Sequence, residues 1–235
     1  MGVQERKVRE KEQRRIDILD SARLAFIKHG LEQTSMDRIA QEAELAKGTL
    51  YLYFRNRDEL LMALIANDFE HLIEMIEVVQ QSAEPPERKL LASVGTFYEF
   101  SRQNEFFYKM MTQLNVHTLF QEDGNSEPVC HFRDVNKRMM SLMASIVQEG
   151  VDKGVFHIAQ SVEDVVVQMM VALKGAMVIL RNGMIPPDWV KHDIKYVLHN
   201  IACLLIRGLE SPKYLTDCDM LFGNPNETAS APTLK

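Results

Sequence analysis

The chain has 235 residues, 46% hydrophobic and 26% charged, an ordinary globular balance with enough length for one large domain or two small ones. A net charge of −6 excludes a general coat of positive charge. The sign is uneven, because residues 1–57 carry 12 Lys+Arg against 9 Asp+Glu and the rest carry 15 against 24, giving an acidic body behind a mildly basic front end.

In chain order, residues 1–12 read as a flexible polar arm. Met1 to Arg15 is charged rather than apolar, so no secretory leader is expected. A first helix is predicted from about Gln13 to His29, with Ile18, Leu19, Ala22, Ala25 and Phe26 on one face and Gly30 ending it. A second helix starts at Thr34 or Ser35. Its Met36, Ile39, Ala40 and Ala43 follow the spacing of a buried stripe. After Glu44-Leu45 a short third helix runs from about Ala46 to Tyr53, with Leu50 and Phe54 inward. Asn56 and Glu59 then give a cap signature for a long fourth helix that buries Leu61, Leu64, Ile65, Leu72 and Ile76.

Pro85-Pro86 breaks the chain. Further helices are predicted at about Glu87–Gln103, Glu105–Leu119, Pro128–Lys153, Ser161–Asn182 and Asp188–Leu209, broken at Asn104, Gly124-Asn125, Gly154 and Pro186-Pro187. Residues 211–235, rich in Pro, Asn, Thr and Ser, read as a disordered tail. No stretch alternates like a strand. The expected fold is therefore all-α with about nine helices. Residues 13–57 form a three-helix head and 58–210 a helical body. The run Val165 to Leu180 is short for a bilayer and carries Gln168 and Lys174, so it reads as a buried helix and no membrane partner is expected.

Cys130, Cys203 and Cys218 are odd in number and far apart. They suggest neither a metal site nor a disulfide framework, and a reduced cytoplasmic compartment is expected. No Ser/His/Asp, metal or phosphate-loop constellation is present, so no catalytic residues and no cofactor are expected.

Thr34 to Phe54 has helix-turn-helix spacing: two short helices joined by a tight turn, with Ala40 and Ala43 small where the helices cross. The segment Ile18 to Leu61, ILDSARLAFIKHGLEQTSMDRIAQEAELAKGTLYLYFRNRDELL, resembles the DNA-binding domain of the TetR (tetracycline repressor) family. Its most specific part is Lys-Gly-Thr-Leu-Tyr-x-Tyr-Phe, followed by a basic residue, an acidic pair and Leu-Leu.

The resemblance implies roles residue by residue. Thr34 and Ser35 would hold a DNA phosphate at a helix N-terminus. Lys47, Gly48 and Thr49 would open the recognition helix, with Gly48 allowing close approach. Tyr51 and Tyr53 would bond phosphates, Leu52 would touch bases, and Arg57 would grip a phosphate. Plainer readings stand beside these. Tyr51 and Tyr53 suit a core, Thr34 suits a cap, and Arg57 suits a solvated surface. Lys7, Arg9, Lys11, Arg14 and Arg15 suit either a soluble tail or a phosphate or minor-groove contact. Glu44 departs from the family, which usually has Gly there. If the position needs positive φ, Glu costs about 1 kcal/mol relative to Gly.

For the body, the resemblance implies an effector-binding and dimerisation domain that pairs through its last two long helices. The sequence agrees independently. Val165 to Leu180 is apolar nearly all round, and the last helix carries Trp189, Ile194, Val197, Ile201, Leu204 and Leu205. Richness in Met and Phe suits a lipophilic or aromatic small-molecule effector. Phe107, Met110, Met111, Met140, Met143, Met170 and Met177 are the candidate lining. His117, Arg133, Asn136, Gln168 and Lys174 are the candidate polar anchors. The expected function is a ligand-released repressor that binds a palindromic double-stranded operator as a homodimer. An activator or corepressor-dependent member of the family, a helical interaction protein that has lost DNA binding, and an enzyme on a helical scaffold are the rivals.

Overall fold

The structure, a computed structural model, describes residues 2–113 and 126–210. Among these residues the chain forms nine helices and no strand: α1 Val3–His29, α2 Met36–Glu42, α3 Lys47–Tyr51, α4 Arg57–Gln80, α5 Pro86–Gln103, α6 Glu105–Gln113, α7 Glu127–Asp152, α8 Val162–Arg181 and α9 Ile194–Glu210. The backbone divides into two compact units, Met1–Val78 with Thr96–Ser141 and Val79–Gly95 with Leu142–Lys235. No described helix is long and apolar enough to cross a membrane. His117 and the tail 211–235 lie outside the described residues, as do the second half of the helix expected to reach Leu119 and the loop at Gly124-Asn125.

In the first unit, Ile18, Leu19, Ala22, Ala25 and Phe26 of α1 are buried with Ile39 and Ala40 of α2, Leu50 and Phe54. α4 adds Leu60 to Ala66 without interruption. Its start follows the expected cap: the Asn56 side chain accepts from the Glu59 backbone N–H at 2.8 Å, and the Glu59 carboxylate accepts from the Arg55 N–H at 2.8 Å. Asn104 separates α5 from α6 and caps the latter, accepting from the Phe107 N–H at 3.0 Å.

The first unit is also cross-linked by charge. Arg23 on α1 forms two hydrogen bonds to Asp68 on α4, at 2.7 and 2.9 Å, and a third to Asn104 at 3.3 Å. Its guanidinium lies 4.9 Å from the centre of the Phe106 ring, so the fork is held by carboxylate, amide and aromatic face together. Lys109 of α6 donates to the Ile27 carbonyl at 3.0 Å, in the last turn of α1.

In the second unit, α8 and α9 pack along each other, burying Val165, Val166, Met169 and Met177 with Leu198, Ala202 and Ile206. Buried Lys89 of α5 donates to Glu149 of α7 at 2.9 Å, and Lys153 reaches the same carboxylate at 2.6 Å. The Lys153 bond first, then the Lys89 bond, hold the Glu149 carboxyl below its ordinary value. A side chain at Gly150 would run into the Phe156 ring at 2.0 Å, so the absence of one there lets buried Phe156 close over the end of α7.

Two expected elements differ. Of the expected arm 1–12, residues 3–12 are helical: α1 begins at Val3. The Glu5 carboxylate caps its start by accepting from the Gly2 N–H at 2.9 Å. Arg6–Glu10 supports it at helical spacing. The last helix starts at Ile194 rather than Asp188. Asp193 provides the start signal, accepting from the Tyr196 N–H at 2.8 Å. Trp189 consequently lies before the helix and is 76% exposed rather than part of its buried stripe.

Candidate nucleic-acid interface

Local rules build the α2–α3 turn. Ser35 opens α2, its hydroxyl accepting from the Arg38 N–H at 3.4 Å. At the other end, the Leu45 N–H donates to the Ala40 carbonyl at 2.9 Å and the Glu44 N–H to Gln41 at 3.1 Å. This is a Schellman closure, which places Glu44 at the left-handed position. Its φ is +52°, so the strain anticipated for a residue other than Gly is present. The closure swings the chain directly into α3, where buried Leu50 and Phe54 anchor the short helix.

The opposite side of α3 is left to solvent. Lys47, Gly48, Tyr51 and Leu52 are exposed, Leu52 at 78%, and Thr49 and Tyr53 are half-buried. Lys47 forms an ion pair with Asp37 in the first turn of α2. The Asp37 carboxylate, first by its hydrogen bond and then by its charge, holds the Lys47 ammonium above its ordinary value. The same ammonium lies 6.0 Å from the centre of the Tyr51 ring. Lys47 and Tyr51 therefore form one cationic and aromatic patch, with Asp37 as its internal counter-ion.

Two candidates are corrected. Thr34 is 2% exposed, and its hydroxyl donates to the carbonyls of Gly30 at 2.7 Å and Ala25 at 3.2 Å. It ties α2 to the end of α1 and is not free for a phosphate. Arg57 is likewise turned onto the protein. It donates to the Leu31 carbonyl at 3.1 Å and to Asp58 at 3.0 Å. Its guanidinium satisfies the loop that connects α1 to α2. Ser35 remains exposed at the α2 N-terminus.

The effector candidates divide between the units. In the first, Phe107 and Met110 are fully buried, Met111 and Met140 are half-buried, and Arg133 and Asn136 are exposed. Phe107 is the hub of an aromatic cluster, with Phe69, Phe97 and Phe100 at centroid distances of 5.5, 5.9 and 5.0 Å. Phe132 joins through Phe69 at 6.0 Å. Sequence reasoning missed Phe69 and Phe132, although both lie on the inner faces of long helices. In the second unit Met177 is buried and Met143 is half-buried. Gln168 and Met170 are corrected: both are exposed, and Gln168 bonds Gln160 at 2.8 Å. Lys174, half-buried, falls at helical spacing among the exposed Val167, Met170 and Val171. Its place on an outer apolar stripe does not suit an internal anchor.

Comparison with known proteins bears on the same segment. The family model described as "Bacterial regulatory proteins, tetR family" matches residues 18–64. The chain is 24% identical to the Fatty acid metabolism regulator protein of Bacillus subtilis over 209 residues, covering 87% of this chain and all of that one. It is 29% identical to the HTH-type transcriptional repressor KstR of Mycolicibacterium smegmatis over 154 residues, covering 65% and 72%. In fold it is similar to the transcriptional regulator FadR from Bacillus subtilis, solved in complex with stearoyl-CoA. The TM-score is 0.65 at 21% identity, over 82% of this chain and 98% of that one.

Proposed function

We propose that the chain is a transcriptional regulator of the TetR family of bacterial regulatory proteins, a repressor that holds a palindromic operator as a dimer and releases it when a long acyl thioester binds. The observation that carries the DNA reading is α3. Leu50 and Phe54 fix it from within, while Lys47, Tyr51 and Leu52 stand outward along a helix short enough for a major groove. Gly48 supports it. Gly inside a helix costs roughly 1 kcal/mol, yet a methyl there would meet no described atom within 4 Å. The packing of the protein gives no reason for Gly48, whereas a duplex surface does. Ser35, Thr49 and Tyr53 serve as supporting contacts at the edges of the groove.

The dimer reading rests on α8 and α9. Val167, Met170, Val171, Ile179, Tyr196 and Leu204 are large, apolar and exposed, a set that suits a second copy. The effector reading rests on the aromatic cluster around Phe107, beside Met110, Met111 and Met140. Such a setting accepts an acyl chain, and a relative of similar fold binds stearoyl-CoA. Within the first unit, Arg23–Asp68–Asn104 and Lys109–Ile27 link α1 to α4, to the junction before α6 and to α6 itself. A ligand that shifts α6 would therefore pull on the head.

Retardation of a promoter duplex tests the reading. Tyr51→Ala and Lys47→Ala should each weaken binding by about 1–3 kcal/mol, and stearoyl-CoA should weaken the wild type by up to roughly 150-fold. Undiminished binding by both variants would overturn the groove assignment, and indifference to acyl-CoA would overturn the effector.

A further inference from the structure

The first residue of α1 to be fully buried is Ile18; from Gln4 to Arg14 every residue is exposed. The helix therefore overhangs its own domain. Counting back from Ile18 along the face that also carries Ala22 and Ala25, the positions at helical spacing are Arg14, Lys11 and Lys7. The face that is apolar inside the domain becomes basic where the helix leaves it.

Pairing within the helix sharpens this. Each acidic residue of the overhang is engaged: Glu5 by the Gly2 N–H, Glu10 by Arg6 at 3.2 Å, Glu12 by Arg15 at 3.8 Å, and Asp17 by the Gln13 amide at 3.0 Å. Lys7, Lys11 and Arg14 are not among the basic partners in these pairs. They line an open groove of about 520 Å³ together with Glu10, Gln13, Asp17 and Tyr53. Tyr53 lies just beyond the end of α3, so the groove borders that helix. At the root of the overhang, the Arg15 guanidinium lies 5.5 Å from the centre of the Phe54 ring, fixing α1 beside the end of α3.

We propose that the overhang of α1 is a second DNA contact, in which Lys7, Lys11 and Arg14 grip the phosphate backbone flanking the bases that α3 reads. This rests on the DNA-binding reading of α3 and deepens it. Lys7 to Arg14 spans about 10 Å at 1.5 Å per residue, roughly three base-pair steps of 3.4 Å. The contact is electrostatic and carries no base information. It therefore adds affinity and salt dependence equally on any sequence.

The test uses the full chain and a duplex recovered by selection from random DNA, with extra flanking base pairs. Lys7→Gln/Lys11→Gln/Arg14→Gln should lower the slope of log K against log salt by about 2–3, at ~0.9 for each phosphate no longer neutralised. The ratio of specific to non-specific affinity should stay unchanged. Arg9→Gln, which removes charge from the far side of the helix, should change the slope less per charge removed. An unchanged slope in the triple variant, or an equal loss per charge in the control, would overturn the proposal. A wild type that retains no duplex at all would instead remove the DNA-binding reading beneath it.

Discussion

The helix-turn-helix head and the α8–α9 pair solve opposite problems. In the head, helix ends and connecting loops are tied off within the chain. Ser35 and Asn56 cap α2 and α4, Thr34 and Arg57 satisfy the loop carbonyls between α1 and α2, and the turn closes on Ala40 and Gln41. Along α3 its outward surface is polar apart from the exposed Leu52 beside Tyr51, and the other large exposed apolar residues of the head, Ile16 and Leu24, lie singly on α1. In α8 and α9 the inner sides are packed, but Val171 is 62% exposed and Leu204 69%. The head is complete in one copy and offers a reading surface. The C-terminal pair leaves apolar area uncovered, which on the proposed function a second copy would cover. A regulator that reads a two-fold site needs both properties in one chain.

The largest expected effect strikes the completeness of the head. Asp68→Ala would strand Arg23, whose fork is held by that carboxylate. Removing one partner of a buried pair costs about 3–5 kcal/mol, and because Arg23 is 24% exposed and keeps Asn104 and the Phe106 ring, the low end, ~3 kcal/mol, is expected as a drop in the urea midpoint. A loss below about 1 kcal/mol would mean that the Arg23 tie does not hold α1 to α4. The next effect strikes the other side of the comparison. Val171→Glu/Leu204→Glu should turn a dimer into a monomer in sedimentation. It should also weaken operator binding by on the order of 100-fold or more through the loss of bivalency, with the helical content kept. A dimer that survives both charges would place the pairing surface elsewhere. The smallest effect returns to the turn. Glu44→Gly should stabilise the protein by about 1 kcal/mol, because Glu44 holds φ +52°. A destabilised variant would mean that the Glu44 side chain contributes more than its strain costs.

What was legible in the sequence follows the range of the cause. Ser35, Glu44, Asn56 with Glu59, and Asn104 act on neighbours within about one helical turn, and the residues alone located the corresponding ends and turns. The orientations of Thr34 and Arg57 depend on carbonyls 9 and 26 positions away, and no local pattern reveals them. The overhang of α1 escaped for a different reason. It has no apolar stripe to count, and its helix rests on propensity, the Glu5 cap and side-chain pairs such as Arg6–Glu10. Trp189 was assigned to the last helix on hydrophobicity, while Asp193 sets where that helix begins. For the effector, composition pointed to Phe107 and Met110, but only the fold gathers Phe69 and Phe132 to them.

Selection of bound sequences from random DNA tests the central claim most directly. A palindrome should be enriched whose half-sites lie about one helical turn, ~34–36 Å, apart or a multiple of it, and the enrichment should vanish in Tyr51→Ala. Recovery of no motif, or of the same motif with Tyr51 removed, would contradict it.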